Sequence, residues 1–292
     1  MIRIRDISLP PQQDMAQLVY AAARQLRIDH TQIKQLDIKK RSVDARKKND
    51  VRLVYTIDVL VKGREDKILK MAHCPKAAVA SDYTYAVPQP ARLPEQRPIV
   101  AGFGPAGMMA AFYLAREGYR PIVLERGQDV DTRAKDVETF WKTGSFKPES
   151  NVQFGEGGAG TFSDGKLTTR VTHPRLYEIS KYFVEFGAPE EILYKHKPHV
   201  GTDKLRNMVK AMRERIIERG GEVRFGAKVT DVFIENGQVV GVEVNQAERI
   251  DTTLILSGVG HSARDTYEML YKRGVNMVAK PFAIGVRIEH SQ

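Results

Sequence analysis

Between Pro98 and Glu125 the chain runs through an apolar segment, PIVAGFG, then AGMMAAFYLAREG, then YRPIVLER. Three glycines, Gly102, Gly104 and Gly107, sit where the first segment meets the second. GxGxxG spacing alone arises by chance. Set after an apolar strand, at the opening of an apolar helix and before a second strand, it restricts the chain to a βαβ unit with parallel strands. Gly102 permits the tight turn, Gly104 lets backbone approach a pyrophosphate, and Gly107 lets helix pack on strand. Pro105 and Ala106 open the helix, where a missing N–H costs nothing and free amides meet phosphate charge. Glu125 ends the second strand 23 residues beyond Gly102. There a carboxylate accepts from ribose hydroxyls and repels a 2′-phosphate, which disfavours NADP at this turn.

Upstream, Ile2, Ile4 and Ile7 read as a strand, and DMAQLVYAAARQL places Met15, Leu18, Val19, Ala22 and Leu26 on one helical face. IKQLDIKKRSV and VRLVYTIDVLV flank a polar run and read as an antiparallel hairpin. Residues 1–90 are therefore expected to form a small basic α+β domain. The stretch Tyr83 to Pro98 carries four prolines and no period, which places a linker at 91–98. From 99 to 280 we expect a Rossmann-like domain with inserted segments.

Two later features turn the reading from a general dinucleotide toward FAD. One is NVQFGEGGAGTFSDGKLTTR, with Gly155, Gly157, Gly158, Gly160, Thr161, Gly165 and Lys166. A flexible backbone rich in N–H donors can wrap a ribityl chain and flavin ring. The other follows a helix over about 202–219: strands EVRFG, KVTDVFIE and QVVGVEV, read as a meander with a hairpin turn at Asn236-Gly237. TTLILSGVG then returns to the parallel sheet, with Gly258 at its turn.

GFGPAGMMAAFYLAREGYRPIVLERG, FGEGGAGTFSDGKL and LILSGVGHSARDTYEML together resemble the uncharacterised bacterial FAD-dependent dehydrogenases of the glutathione-reductase-like, two-dinucleotide-binding flavoprotein superfamily. The resemblance covers nearly the whole chain. It implies an α/β fold, FAD with its pyrophosphate at Gly102–Gly107, its ribose at Glu125 and its adenine beside Arg126. Such flavoproteins continue through a substrate domain and a late glycine-rich segment. Here PFAIGVRIEHSQ, residues 281–292, reads as the first strand of an incomplete substrate domain, so a truncated chain is expected.

Flavin enzymes leave hydride chemistry to the cofactor, so the sequence forces no catalytic set. Lys166 and His261 are the weighed candidates for charge stabilisation and proton donation, against an ordinary solvated role for Lys166 and a loop or helix-cap role for His261. GVGHSA lacks a third glycine, so NAD(P)H as an electron donor would need another surface. Cys74 is the only cysteine, which excludes a disulfide within the chain and a zinc site built on cysteines, and no metal is expected. The net charge of +10 is nearly all N-terminal: residues 1–97 hold 19 lysines and arginines against 11 acids. KKR at 39–41, RKK at 46–48 and Arg52 keep an RNA-associated alternative open, without interleaved aromatics to strengthen it. A non-catalytic nucleotide-binding module is the third reading. With no apolar run long enough for a signal or a membrane span, a cytoplasmic location is expected.

Overall fold

The computed structural model describes the chain except residues 82–84, 86–92, 163–164, 166, 168–172, 174, 196, 282–283, 287, 289 and 291–292. Its strands are β1 (Ile2–Leu9), β2 (Ile33–Asp44), β3 (Arg52–Val61), β4 (Ala77–Val79), β5 (Ile99–Ala101), β6 (Ile122–Leu124), β7 (Glu222–Arg224), β8 (Val229–Glu235), β9 (Gln238–Val244), β10 (Glu248–Asp251) and β11 (Ile255–Ser257). Its helices are α1 (Met15–Leu26), α2 (Glu65–Ala72), α3 (Pro105–Arg116), α4 (Val130–Thr143), α5 (Arg175–Glu185), α6 (Thr202–Glu218) and α7 (Arg264–Lys272). The chain divides into two compact units, Met1–Ala91 with Gly160–Glu214, and Arg92–Ala159 with Arg215–Gln292.

In the first unit four antiparallel strands lie in the order β2-β3-β1-β4. The three isoleucines of β1 do not keep a period of two. A bulge between Ile4 and Ile7, with Asp6 at φ +55°, absorbs the extra residue and buries all three. Leu18, Ala22 and Leu26 of α1 close the core against Ile57, Val59 and Tyr55. Met15, placed on the same face by periodicity, is 51% exposed, because it opens the helix beside its Asp14 cap. The expected hairpin is β2 with β3, and α2 and β4 complete the layer. Beyond the strand edge, the amide of Arg41 donates to the Tyr194 carbonyl.

In the second unit β11-β5-β6-β7 form a parallel sheet, with α3 the crossover from β5 to β6. A meander exists, but its membership differs from the sequence expectation. β7 joins the parallel sheet, pairing Val223 with Val123, and the third meander strand is β10 against β9. Three residues, Glu-Val-Arg, are too short a pattern to distinguish a parallel edge from a meander strand. The amide of Glu222 bonding Pro121 and that of Glu125 bonding Arg224 decide it. Asn236 and Gly237 have φ of +52° and +77°, the two left-handed positions of a type I′ turn between β8 and β9. Ile99, Ala101, Ile122 and Leu124 share one core with Val229, Val232, Val242 and Val244, so sheet and meander fold as one body. Of the strand expected over 281–292, residues 282–283, 287, 289 and 291–292 lie outside the described residues, and the described ones form no strand. Among the described residues no helix is long and apolar enough to cross a membrane.

Candidate functional site

The turn from β5 to α3 closes only with glycine at two points. Gly102 has φ +92°, donates to the Leu124 carbonyl, and a Cβ on it would sit 2.6 Å from the Gly258 carbonyl oxygen. A Cβ on Gly107 would overlap the Gly102 carbonyl oxygen. Gly258 donates to Ala101 at 2.7 Å, so turn, helix and return strand meet backbone to backbone. Gly104 caps α3 and Pro105 occupies its first turn. The amides of Ala106 and Gly107 therefore lack intrahelical acceptors and form the positive end of the helix.

This turn lines a cavity of about 500 Å³. Gly102, Gly104, Pro105 and Ala106 of the turn, Leu124, Glu125 and Arg126 after β6, Phe154, Gly155 and Gly158 of the glycine loop, and Lys228, Ser257, His261 and Tyr267 all line it. Of the residues singled out in the sequence, Gly102, Gly104, Pro105, Ala106, Glu125, Arg126, Gly158 and Gly258 line it, as does His261. Gly107 packs behind it, and Gly157 supports the turn by donating to the Phe103 carbonyl. Gly160 and Thr161 belong to the other compact unit, and Lys166 lies outside the described residues.

Glu125 is 4% exposed, and its carboxylate accepts three backbone amides: Phe103 at 2.6 Å, Gly127 at 2.8 Å and Gly155 at 2.9 Å. A carboxylate offers roughly four acceptor positions, so one remains for a ligand hydroxyl. The residue is the knot that ties the turn, the end of β6 and the glycine loop together.

Arg126 is engaged by protein. Its guanidinium lies over the Phe154 ring at 4.3 Å, bonds both oxygens of Asp265 at 2.9 and 2.7 Å, and reaches Glu149 at 2.5 Å. Lys228 bridges the same two acids, at 3.1 Å to Glu149 and 2.5 Å to Asp265. Two cations and two anions thus form a neutral quartet at the cavity. Arg126 hydrogen bonds hold the Asp265 carboxyl well below its ordinary range. Burial pushes the Glu149 carboxyl up, but the bonds from Arg126 and Lys228 outweigh it and the net direction is down. Burial likewise opposes the charge on Arg126, and its two acid partners reverse that. Phe154, Glu149, Lys228 and Asp265 were not singled out in the sequence, because they come from three separate segments and form no local motif.

The basic N-terminal residues sit in the first unit, many beside carboxylates. Lys39 lies 3.6 Å from buried Asp58, Arg41 3.9 Å from Glu191, Arg46 2.6 Å from Asp44 and Arg52 2.8 Å from Asp50. Among the described residues no group of three His, Cys, Asp or Glu is arranged to hold a metal ion.

Residues 1–60 match a family described as a domain of unknown function, DUF8436. An uncharacterized protein of Clostridium beijerinckii is 46% identical over 292 residues, which is 100% of this chain and 54% of that protein. Digeranylgeranylglycerophospholipid reductase of Haloferax volcanii is 27% identical over 165 residues, 56% of this chain and 35% of that protein. The chain thus spans about half the length of the first relative and about a third of the second. Among solved structures, THI4 of Thermovibrio ammonificans aligns with a TM-score of 0.40 and 19% identity, covering 62% of this chain and 64% of that one.

Proposed function

We propose that this chain carries the FAD-binding part of an FAD-dependent oxidoreductase. The observation that supports it most is the β5–α3 turn lining a cavity of about 500 Å³, within the usual size range of cofactor sites. The residues present fit the ADP half of FAD. No side chain larger than proline stands between Gly102 and Ala106 where the pyrophosphate would lie, apart from the buried Phe103 ring. Amides at the start of α3 would hold its phosphates, the remaining acceptor position of Glu125 a ribose hydroxyl, and the Arg126 side would flank the adenine. The second relative is named a reductase, which agrees with redox chemistry at this site.

When bound, FAD supplies hydride and electron transfer. The chain's own residues bind and orient it: Glu125 fixes the ribose end, the helix start neutralises phosphate charge, and Gly158 with Pro105 keeps the wall narrow. NAD(P)H is the electron donor proposed for the reaction.

Titration of the purified full chain with FAD and with FMN tests the reading. FAD should bind and acquire a structured visible spectrum that bleaches on photoreduction, while FMN, which lacks the adenylate anchor, should bind far more weakly. Equal affinity for the two, or no binding of either, would refute it.

A further inference from the structure

We propose that Arg133, on the inner face of α4, is a positioning residue for the dinucleotide cavity: it gathers the carbonyls of loop 151–158 and turns their negative ends away from the ligand. Its side chain is wholly buried. The guanidinium donates to five main-chain oxygens: Asn151 at 2.8 Å, Val152 at 2.9 Å, Gly155 at 3.3 Å, Glu156 at 2.7 Å and Gly158 at 2.9 Å. Arg133 does not line the cavity, whereas Gln153, Phe154, Gly155 and Gly158 of the same loop do. Oxygens committed to Arg133 therefore point into protein.

The opposite end of the peptide dipoles is organised too. The Gly155 amide goes to the Glu125 carboxylate, and the Glu156 carboxylate takes the Val130 amide at the start of α4. A loop left to itself near a pyrophosphate would present carbonyl oxygens as readily as amides, and oxygen facing phosphate is repulsive. Here one cation collects the oxygens, while the Gly155 amide goes to Glu125 and the Glu156 and Gly157 amides go to the Gln128 and Phe103 carbonyls. Gly155 has φ +119°, and a Cβ there would run into the Arg133 side chain, so the glycine and the arginine are fitted to each other. Burial pushes the guanidinium down to about 10, opposed by the charges of Glu125 and Glu156, which leaves it a cation at neutral pH. That charge offsets Glu125, which would otherwise stand as an uncompensated anion beside a bound pyrophosphate.

The role rests on the FAD reading for its ligand, though not for its loop geometry. The test compares the full chain with Arg133→Met, which removes the cation, and Arg133→Lys, which keeps a cation but has three donors for five oxygens. Backbone amide exchange without cofactor, FAD affinity and far-ultraviolet circular dichroism are measured on each. We expect unchanged dichroism, exchange in 151–158 faster by about tenfold or more with 99–124 unaffected, and FAD affinity lowered roughly 30-fold in R133M and less in R133K. Partial rescue by lysine separates charge from packing. Loop exchange within twofold of the parent in R133M would overturn the proposal, as would parental FAD affinity with a loosened loop. Global unfolding of both variants would also overturn it, since the role would then be the fold's and not the loop's. A parent that fails to bind FAD, with the loop still loosened in R133M, would overturn only the flavin reading and would support the control of the loop by Arg133.

Discussion

Replacing Glu125 by glutamine changes one oxygen to an amide nitrogen and little else in volume. The two oxygens divide their work: Oε1 takes the Gly127 and Gly155 amides, and Oε2 takes Phe103. Glutamine's single carbonyl oxygen can keep the pair at Gly127 and Gly155, but its NH2 then faces the Phe103 N–H, donor against donor. A buried donor left without an acceptor costs about 1–3 kcal/mol, and the two retained bonds lose their charge assistance, roughly 0.5–1 kcal/mol each. The loss of attraction to Arg133 acts in the same direction. The sum is about 2–5 kcal/mol, a large fraction of a typical domain's stability.

Urea unfolding of the cofactor-free chain measures it. The single tryptophan, Trp141, lies on α4 in the same unit as Glu125, so its emission reports that unit. We expect a lowered midpoint at unchanged slope. Because no ligand is present, the loss is independent of any ribose contact. A midpoint shift worth less than about 0.5 kcal/mol would mean that the three amides do not depend on a carboxylate, and would sink the view of Glu125 as a structural knot.

Gly102→Ala combines a side chain at φ +92° with a Cβ 2.6 Å from the Gly258 oxygen, so stability should fall by about 2–3 kcal/mol or more; parental stability would contradict the turn geometry. The quartet gives a pH dependence whose sign follows from depressed carboxyls. Asp265 and Glu149 titrate lower folded than unfolded, so their contribution is present above about pH 4 and is lost as pH falls through the folded values. Asp265→Asn should therefore be less stable at neutral pH, with a shallower acid limb below about pH 4, and acid limbs parallel to the parent would contradict the quartet.

The βαβ unit was legible because glycine spacing, apolar strands and an apolar helix agree with one another over some thirty residues. The hairpin turn at Asn236-Gly237 was legible for a different reason: few residues accept two successive left-handed positions. β1 shows the limit of periodicity, since its Ile4-to-Ile7 spacing only makes sense once a bulge is allowed. The order of β7 and β10 was not legible, because short polar strands carry no signal for the partner they will pair with. Residues 160–214 give another case. They cluster with the first ninety, and nothing in their local pattern encodes a contact such as that between Arg41 and Tyr194.

α4 explains why the most consequential part of the site was hidden. Its buried positions are Val130, Arg133, Asp136 and Val137, so half of its inner face is charged and no apolar stripe appears. Asp136 is answered by Lys147 and Ser150, and Arg133 by five carbonyls, all from the chain that follows the helix. A helix that buries charge to organise a loop reads, in one dimension, as a polar helix facing water. The distinction lies in the loop: 151–158 holds three glycines in eight residues, Gly155, Gly157 and Gly158, which leaves its backbone bare of the side chains that would otherwise satisfy or shield it. Here that bare backbone has five of its oxygens served by one internal cation, and arginine is the group with enough donors to serve them together. In this chain the glycine-rich loop beside the β5–α3 turn has a charged residue, Arg133, buried inside the protein on its carbonyls, and a motif reading of the glycines alone omits it.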